Sequence, residues 1–178
     1  LLNRNLDDSL HYLNLGLDIA QKNRLENDFG LLHHRLMNTY IEREEYDLAQ
    51  ENGLKALTYL SDSPSITLAA VYDSLGRAFT GLNNLTKAEN YFWKALSHWD
   101  SLKDYTHMAR SYRNLGSLYF WQDNLDDAKK CFEASLEALS NLSNIWDELG
   151  AINGLGIVYH SAKDYDKAIH IFQKAAHK

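Results

Sequence analysis

The sequence predicts an all-α protein made of antiparallel helix pairs repeated about every forty residues. Small residues recur at Ser9, Ala49, Ala88, Ala128 and Ala168, at intervals of 40, 39, 40 and 40. Thirteen residues before the last four of these stand Leu36, Leu75, Leu115 and Leu155, each followed four residues later by an aromatic: Tyr40, Phe79, Tyr119 and Tyr159. Around the small column, apolar residues keep offsets of three, four and seven, which puts them on one helical stripe. A period of this length across 178 residues means stacked copies of one supersecondary unit.

Taken in order, residues 1–23 read as a partial repeat, a second helix from Leu6 to about Asn23 whose first helix is missing apart from Leu1 and Leu2. Residues 24–61 form the first complete repeat. There Met37 stands where later repeats have glycine, and Gly53 where they have an aromatic, an exchange that keeps core volume if the two touch. Residues 62–102 open at Ser63-Pro64, a serine cap with proline at the first helical position, and pair Leu75, Gly76 and Phe79 with Ala88, Phe92 and Ala95. Residues 103–142 repeat the scheme with Leu115, Gly116, Tyr119, Ala128, Phe132 and Ser135, and residues 143–178 with Leu155, Gly156, Tyr159, Ala168, Phe172 and Ala175. Leu60, Trp99 and Leu139 extend the stripe by a turn. Glu44-Glu45, Leu82-Asn83-Asn84, Gln122-Asp123-Asn124 and Ala162-Lys163-Asp164 mark the turns inside each pair, where Asn and Asp accept left-handed backbone. A helical glycine costs about 1 kcal/mol against alanine, so Gly76, Gly116 and Gly156 imply close approach of neighbouring backbones.

Leu-Gly, two residues, an aromatic, then Ala, Phe and Ala at fixed offsets resembles the tetratricopeptide repeat. The resemblance implies a right-handed α-α superhelix, a solenoid of antiparallel helix pairs. The usual unit has about 34 residues; the longer unit here is similar to those of maltose-regulator-type activators, peptide-sensing regulators and kinesin light chains. Ile169, Ile171, Phe172 and Ala176 carry no polar outer face. Terminal repeats usually have one, so the expectation is a chain that continues on both sides or self-associates through uncapped terminal helices.

Composition fits a soluble cytoplasmic array. The apolar fraction of 45% can build a core, and a net charge of −6 with no basic block argues against direct nucleic-acid contact. No 18-residue apolar run suggests a membrane span. Cys131, the single cysteine, sits beside Phe132 on the core stripe and reads as a packing residue of a reduced protein. No zinc-binding helix motif occurs, and adjacent His33 and His34 point in different directions, so surface or rim histidines are expected, with no metal and no cofactor. Gly154-Leu155-Gly156 follows no strand and belongs to the packing column. No nucleophile motif appears, and the segment reads as non-catalytic.

In the proteins that this chain resembles, the first helix of each pair lines the concave wall. The corresponding positions are His34, Asn38 and Ile41; Asp73, Arg77 and Thr80; Arg113, Ser117, Phe120 and Trp121; and Asn153, Ile157 and His160. One turn earlier lies Arg110, with Asn114 beside it. Arg77, Arg110 and Arg113 near Trp121 suggest forked bonds to an acidic or C-terminal peptide with an apolar anchor. On that reading Arg113→Glu abolishes capture and leaves stability nearly intact. The chaperone-tail clamp of some tetratricopeptide proteins matches only at Asn38, with Arg110 a like-charged replacement, so that ligand is not expected. The sequence-level reading is a peptide- or protein-binding scaffold within a larger signalling or transcription regulator. The alternatives are a sugar-type sensor using Trp121 and Tyr119, or an auxiliary domain of a signalling enzyme.

Overall fold

The computed structural model describes residues 2–23, 25–61 and 64–176. Among them lie nine α-helices: α1 (Leu2–Asn23), α2 (Glu26–Glu42), α3 (Tyr46–Tyr59), α4 (Ile66–Gly81), α5 (Leu85–Leu102), α6 (Tyr105–Trp121), α7 (Leu125–Leu139), α8 (Ile145–Ser161) and α9 (Tyr165–Ala176). The all-α fold class is as the repeat predicts. No helix among the described residues is long and apolar enough to cross a membrane. Two compact units, Leu1–His98 and Trp99–Lys178, divide inside α5.

In the first unit α1 packs on α2, α2 on α3 and α3 on α4, and α2 also lies beside α4. In the second, α6 packs on α7, α7 on α8 and α8 on α9, with α6 beside α8. The columns are the core. Ala49, Ala88 and Ala128 are fully buried, Ala168 nearly so, and Leu36, Leu75, Leu115 and Leu155 lose almost all exposure. A small side chain at a helix crossing lets the partner helix approach, and the leucines fill the space beside it. In the second unit Ala128, Phe132, Leu155 and Val158 form one cluster, flanked by Tyr119, Tyr159 and Ile171.

The glycine column has a different cause from the one expected. A Cβ on Gly76 would lie 2.5 Å from the Phe92 ring and one on Gly116 3.1 Å from Phe132, while at Gly156 it would run into Phe172. The glycine therefore makes room for an aromatic ring of the paired helix rather than for a backbone. Burying such a ring contributes roughly 1.5–3 kcal/mol, which exceeds the helix cost of glycine. In the first complete repeat the exchange works in reverse: Met37 is fully buried with its sulfur 2.6 Å from where a Gly53 Cβ would stand. The methionine occupies the room an aromatic would take.

Turns inside the pairs repeat one geometry. Glu44, Asn83, Asp123 and Lys163 have φ between 56° and 61°. The N–H of the next residue returns to the carbonyl five residues back: Glu45 to Tyr40, Asn84 to Phe79, Asn124 to Tyr119 and Asp164 to Tyr159, at 2.8–2.9 Å. Lys103 and Asp104 close α5 the same way onto Trp99. This is the Schellman closure, which satisfies carbonyls left open at a helix end. After such a closure Asp104 caps the next helix by accepting from His107 N–H at 3.1 Å, and Asn124 by accepting from Asp127 N–H at 3.3 Å, whereas Glu45 makes no such bond; Asn144, outside this turn type, caps α8 by accepting from Asp147 N–H at 3.2 Å.

One start is displaced from its sequence reading. Ser63 lies outside the described residues, and Pro64 precedes the helix instead of opening it. The cap of α4 is Ser65, in extended backbone, whose hydroxyl accepts from Leu68 N–H at 3.2 Å.

Candidate functional site

The expected wall residues fall in both units, and each set is a different kind of surface. In the first unit α2 contributes His34 and Asn38, and α4 contributes Asp73, Ser74 and Arg77. His34 and Asn38 are one turn apart on α2, and Asn38 Nδ2 donates to His34 Nε2 at 3.1 Å. Buried Ser74 donates to Asn38 Oδ1 at 2.8 Å. The cluster ties α2 to α4 with hydrogen bonds. Burial, reinforced by neighbouring Arg35, holds the His34 imidazole down at about 4. His34 is thus a half-buried, neutral acceptor between α2 and α4. His33 turns the other way, its Nδ1 2.9 Å from Asn52 Oδ1 on α3. Asp73 is half-buried and engaged, and Arg77 is exposed.

In the second unit α6 and α8 lie side by side and enclose a concavity of about 240 Å³. Arg113, Ser117, Phe120 and Trp121 line it from α6, Asn153 and Ile157 from α8, and Phe132 forms its floor. Gly150 and Gly154 complete the α8 side. A Cβ at Gly150 would meet Arg113 Nη1 at 2.6 Å, and one at Gly154 would run into the Phe132 ring. Four of the expected residues, Arg113, Ser117, Trp121 and Asn153, are therefore gathered around one cavity. Ser117 bonds back to the Arg113 carbonyl at 3.1 Å. Among the described residues the exposed Asn153 carboxamide has no hydrogen-bond partner.

Arg110, Asn114 and His160 do not line the cavity. Arg110 Nε donates to both oxygens of Asp147, at 3.0 and 2.8 Å, and Arg113 Nη1 reaches the same carboxylate at 3.3 Å. Asn144 holds the other side of Asp147 at 2.7 Å while capping α8. Asp147 is buried, and both guanidinium groups remain partly exposed. Asn114 is half-buried with a partner of its own. His160 is exposed near the end of α8 and meets Tyr165 edge to face at 5.5 Å. Tyr119 packs in the core cluster, away from Trp121.

Sequence reasoning passed over Asp147 and Trp146. The Asn144-x-x-Asp147 spacing is a capping signature that could have flagged the carboxylate. Trp146 is 85% exposed and Trp121 66%. Trp146, Gly150, Asn153 and Ile157 follow at steps of four, three and four, one stripe of α8. From Trp146 to Ile157 that stripe rises roughly 16 Å at 1.5 Å per residue, about the reach of five extended residues.

Residues 107–176 match a family profile described as Tetratricopeptide repeat, and residues 68–97 match a second profile of the same description. Response regulator aspartate phosphatase E of Bacillus subtilis (strain 168) is 24% identical over 172 residues, covering 93% of this chain and 45% of that protein. The chain thus spans under half the length of this curated relative. Among solved structures, BtubC (BKLC) from P. vanneervenii is 26% identical with a TM-score of 0.77, covering 83% of this chain and 62% of that one. The apo form of RapI has a TM-score of 0.86 at 13% identity, covering 96% of this chain and 62% of that one. The RapI likeness is one of fold.

Proposed function

The chain belongs to the tetratricopeptide repeat superfamily, and on that premise we propose that this segment is a non-catalytic docking scaffold whose α6–α8 surface takes an extended segment of a partner protein. The observation that carries this reading is the unit-two concavity, an apolar pocket with an unpartnered carboxamide at its edge and exposed Trp121 on its rim. An apolar side chain of the partner enters between Phe120, Trp121 and Ile157. Asn153 then offers a donor and an acceptor to the partner's backbone. Trp146 lies farther along the same stripe of α8 and extends the contact.

Arg110 and Arg113 fit an acidic anchor less well than the sequence alone suggested. Part of their charge is already directed at buried Asp147, so a carboxylate ligand gains less from them than from uncommitted arginines. A bulky apolar anchor needs no such exchange and matches the lining. The curated relative is named for action on response regulators, which are proteins, and this supports a protein partner in signalling.

Selection of a random extended-peptide library on the intact chain tests the reading. Enriched peptides carry aromatic or large aliphatic residues, and Trp121→Ala or Asn153→Asp weakens them about tenfold, 1.4 kcal/mol, without a change in melting temperature. Enrichment of Asp- and Glu-rich peptides that bind Trp121→Ala undiminished defeats it.

A further inference from the structure

A second cavity, of about 460 Å³, lies in the same unit on the other side of α6. Tyr105, Met108 and Tyr112 line it at offsets of three and four, roughly half a helical turn round from the Arg113, Ser117 and Trp121 stripe. The last turn of α7 and the residues after it close the opposite side through Glu137, Ala138 and Leu142. Its volume falls in the range of small-ligand pockets, about 300–1,000 Å³.

The lining has one electrostatic sign. Glu137 is exposed and takes part in none of the ion pairs among the described residues. Neither Lys, Arg nor His lines the cavity. α7 ends at Leu139, so its carbonyl end, the negative pole of the helix, points at this region. Burial pushes the Tyr112 phenol up, and Cys131, Asp100 and Glu137 add smaller contributions, Asp100 being paired with Lys103 at 3.2 Å. Tyrosine faces attract cations, and a methionine beside them adapts to an apolar stem.

We propose that this cavity binds an organic ammonium group carried on an apolar stem, the charge against Glu137 and the α7 terminus and the stem against Tyr105, Met108 and Tyr112. The cation comes either from a free amine or from a lysine side chain of a partner polypeptide.

The chain has two methionines, and Met37 is buried in the other unit, so methyl NMR of methionine-labelled protein gives a reporter and an internal reference. Titration with benzylammonium moves the Met108 signal saturably and leaves Met37 still. Benzyl alcohol, the neutral counterpart, binds at least about tenfold more weakly, and Glu137→Gln and Tyr105→Leu each weaken benzylammonium by about tenfold. Trp121→Ala leaves it unchanged, which separates this site from the concavity between α6 and α8. Acetyl-Leu-Lys-Leu-amide that outcompetes benzylammonium, and loses this on lysine acetylation, assigns the cation to a partner's side chain; competition by the amine alone assigns it to a small molecule. Equal binding of benzyl alcohol, no saturable Met108 shift, or an undiminished shift in Glu137→Gln overturns the proposal.

Discussion

Asp147 receives three bonds from Arg110 and Arg113 and a fourth from Asn144, so its carboxylate spends its lone pairs inside the unit. Arg113→Glu would set a second carboxylate against it and leave Arg110 alone to balance both. The near-neutral effect on stability expected from a solvated arginine gives way to a destabilising one. His34 shows the same dependence on surroundings. Its folded-state affinity for a proton lies below the ordinary histidine value, at about 4 against 6.5. The unfolded chain therefore takes up the proton first as pH falls, and stability present above pH 6.5 is lost on the way down to 4. Between pH 7 and pH 5 the loss from this residue is on the order of 2 kcal/mol. Urea midpoints at the two pH values measure it: His34→Gln should show a correspondingly flatter dependence, and parallel losses in both proteins would remove His34 as the cause.

The turns within the pairs, and the one between α5 and α6, share one closure, and its weak point is the residue with positive φ. Asn83 and Asp123 suit left-handed backbone, whereas Glu44, Lys103 and Lys163 adopt it against their preference. Glycine at such a position removes a Cβ penalty of about 1–2 kcal/mol but frees the unfolded chain by roughly 0.5–1 kcal/mol. Lys163→Gly should therefore stabilise the protein by about 0.5–1 kcal/mol, and Asp123→Gly by less. Lys163 is exposed, so thermal or urea melting reports the turn alone. A lower melting temperature for Lys163→Gly would mean that its side chain matters more than its backbone.

For the molecule as a whole, repeat architecture makes stability a chain of neighbour contacts. Ala128 is fully buried against Phe132, Leu155 and Val158, so Ala128→Leu overpacks that cluster and costs about 1–3 kcal/mol. Hydrogen exchange should speed up first in α6, α7 and α8, with α2 and α3 holding their protection longer. Uniform acceleration through all helices would show a single cooperative block in place of neighbour-by-neighbour stability.

The period, the helix pairs and the buried columns were legible because each depends on spacing within a few turns: Leu75 with Phe79, Ala88 with Phe92, Leu155 with Tyr159. Of the expected wall positions, Arg113, Ser117, Trp121 and Asn153 meet around one concavity, whereas Arg110 and Asn114, grouped with them from spacing, do not. Three features needed the packed structure, because each pairs groups more than thirty residues apart or on different helices. They are the Asp147 carboxylate that occupies Arg110 and Arg113, the Ser74 hydroxyl that closes the His34 and Asn38 cluster, and the cavity behind α6. Periodicity says which face a residue shares, and so determines the repeat; which polar groups on that face remain for a ligand is decided by partners that only tertiary packing brings within hydrogen-bond reach.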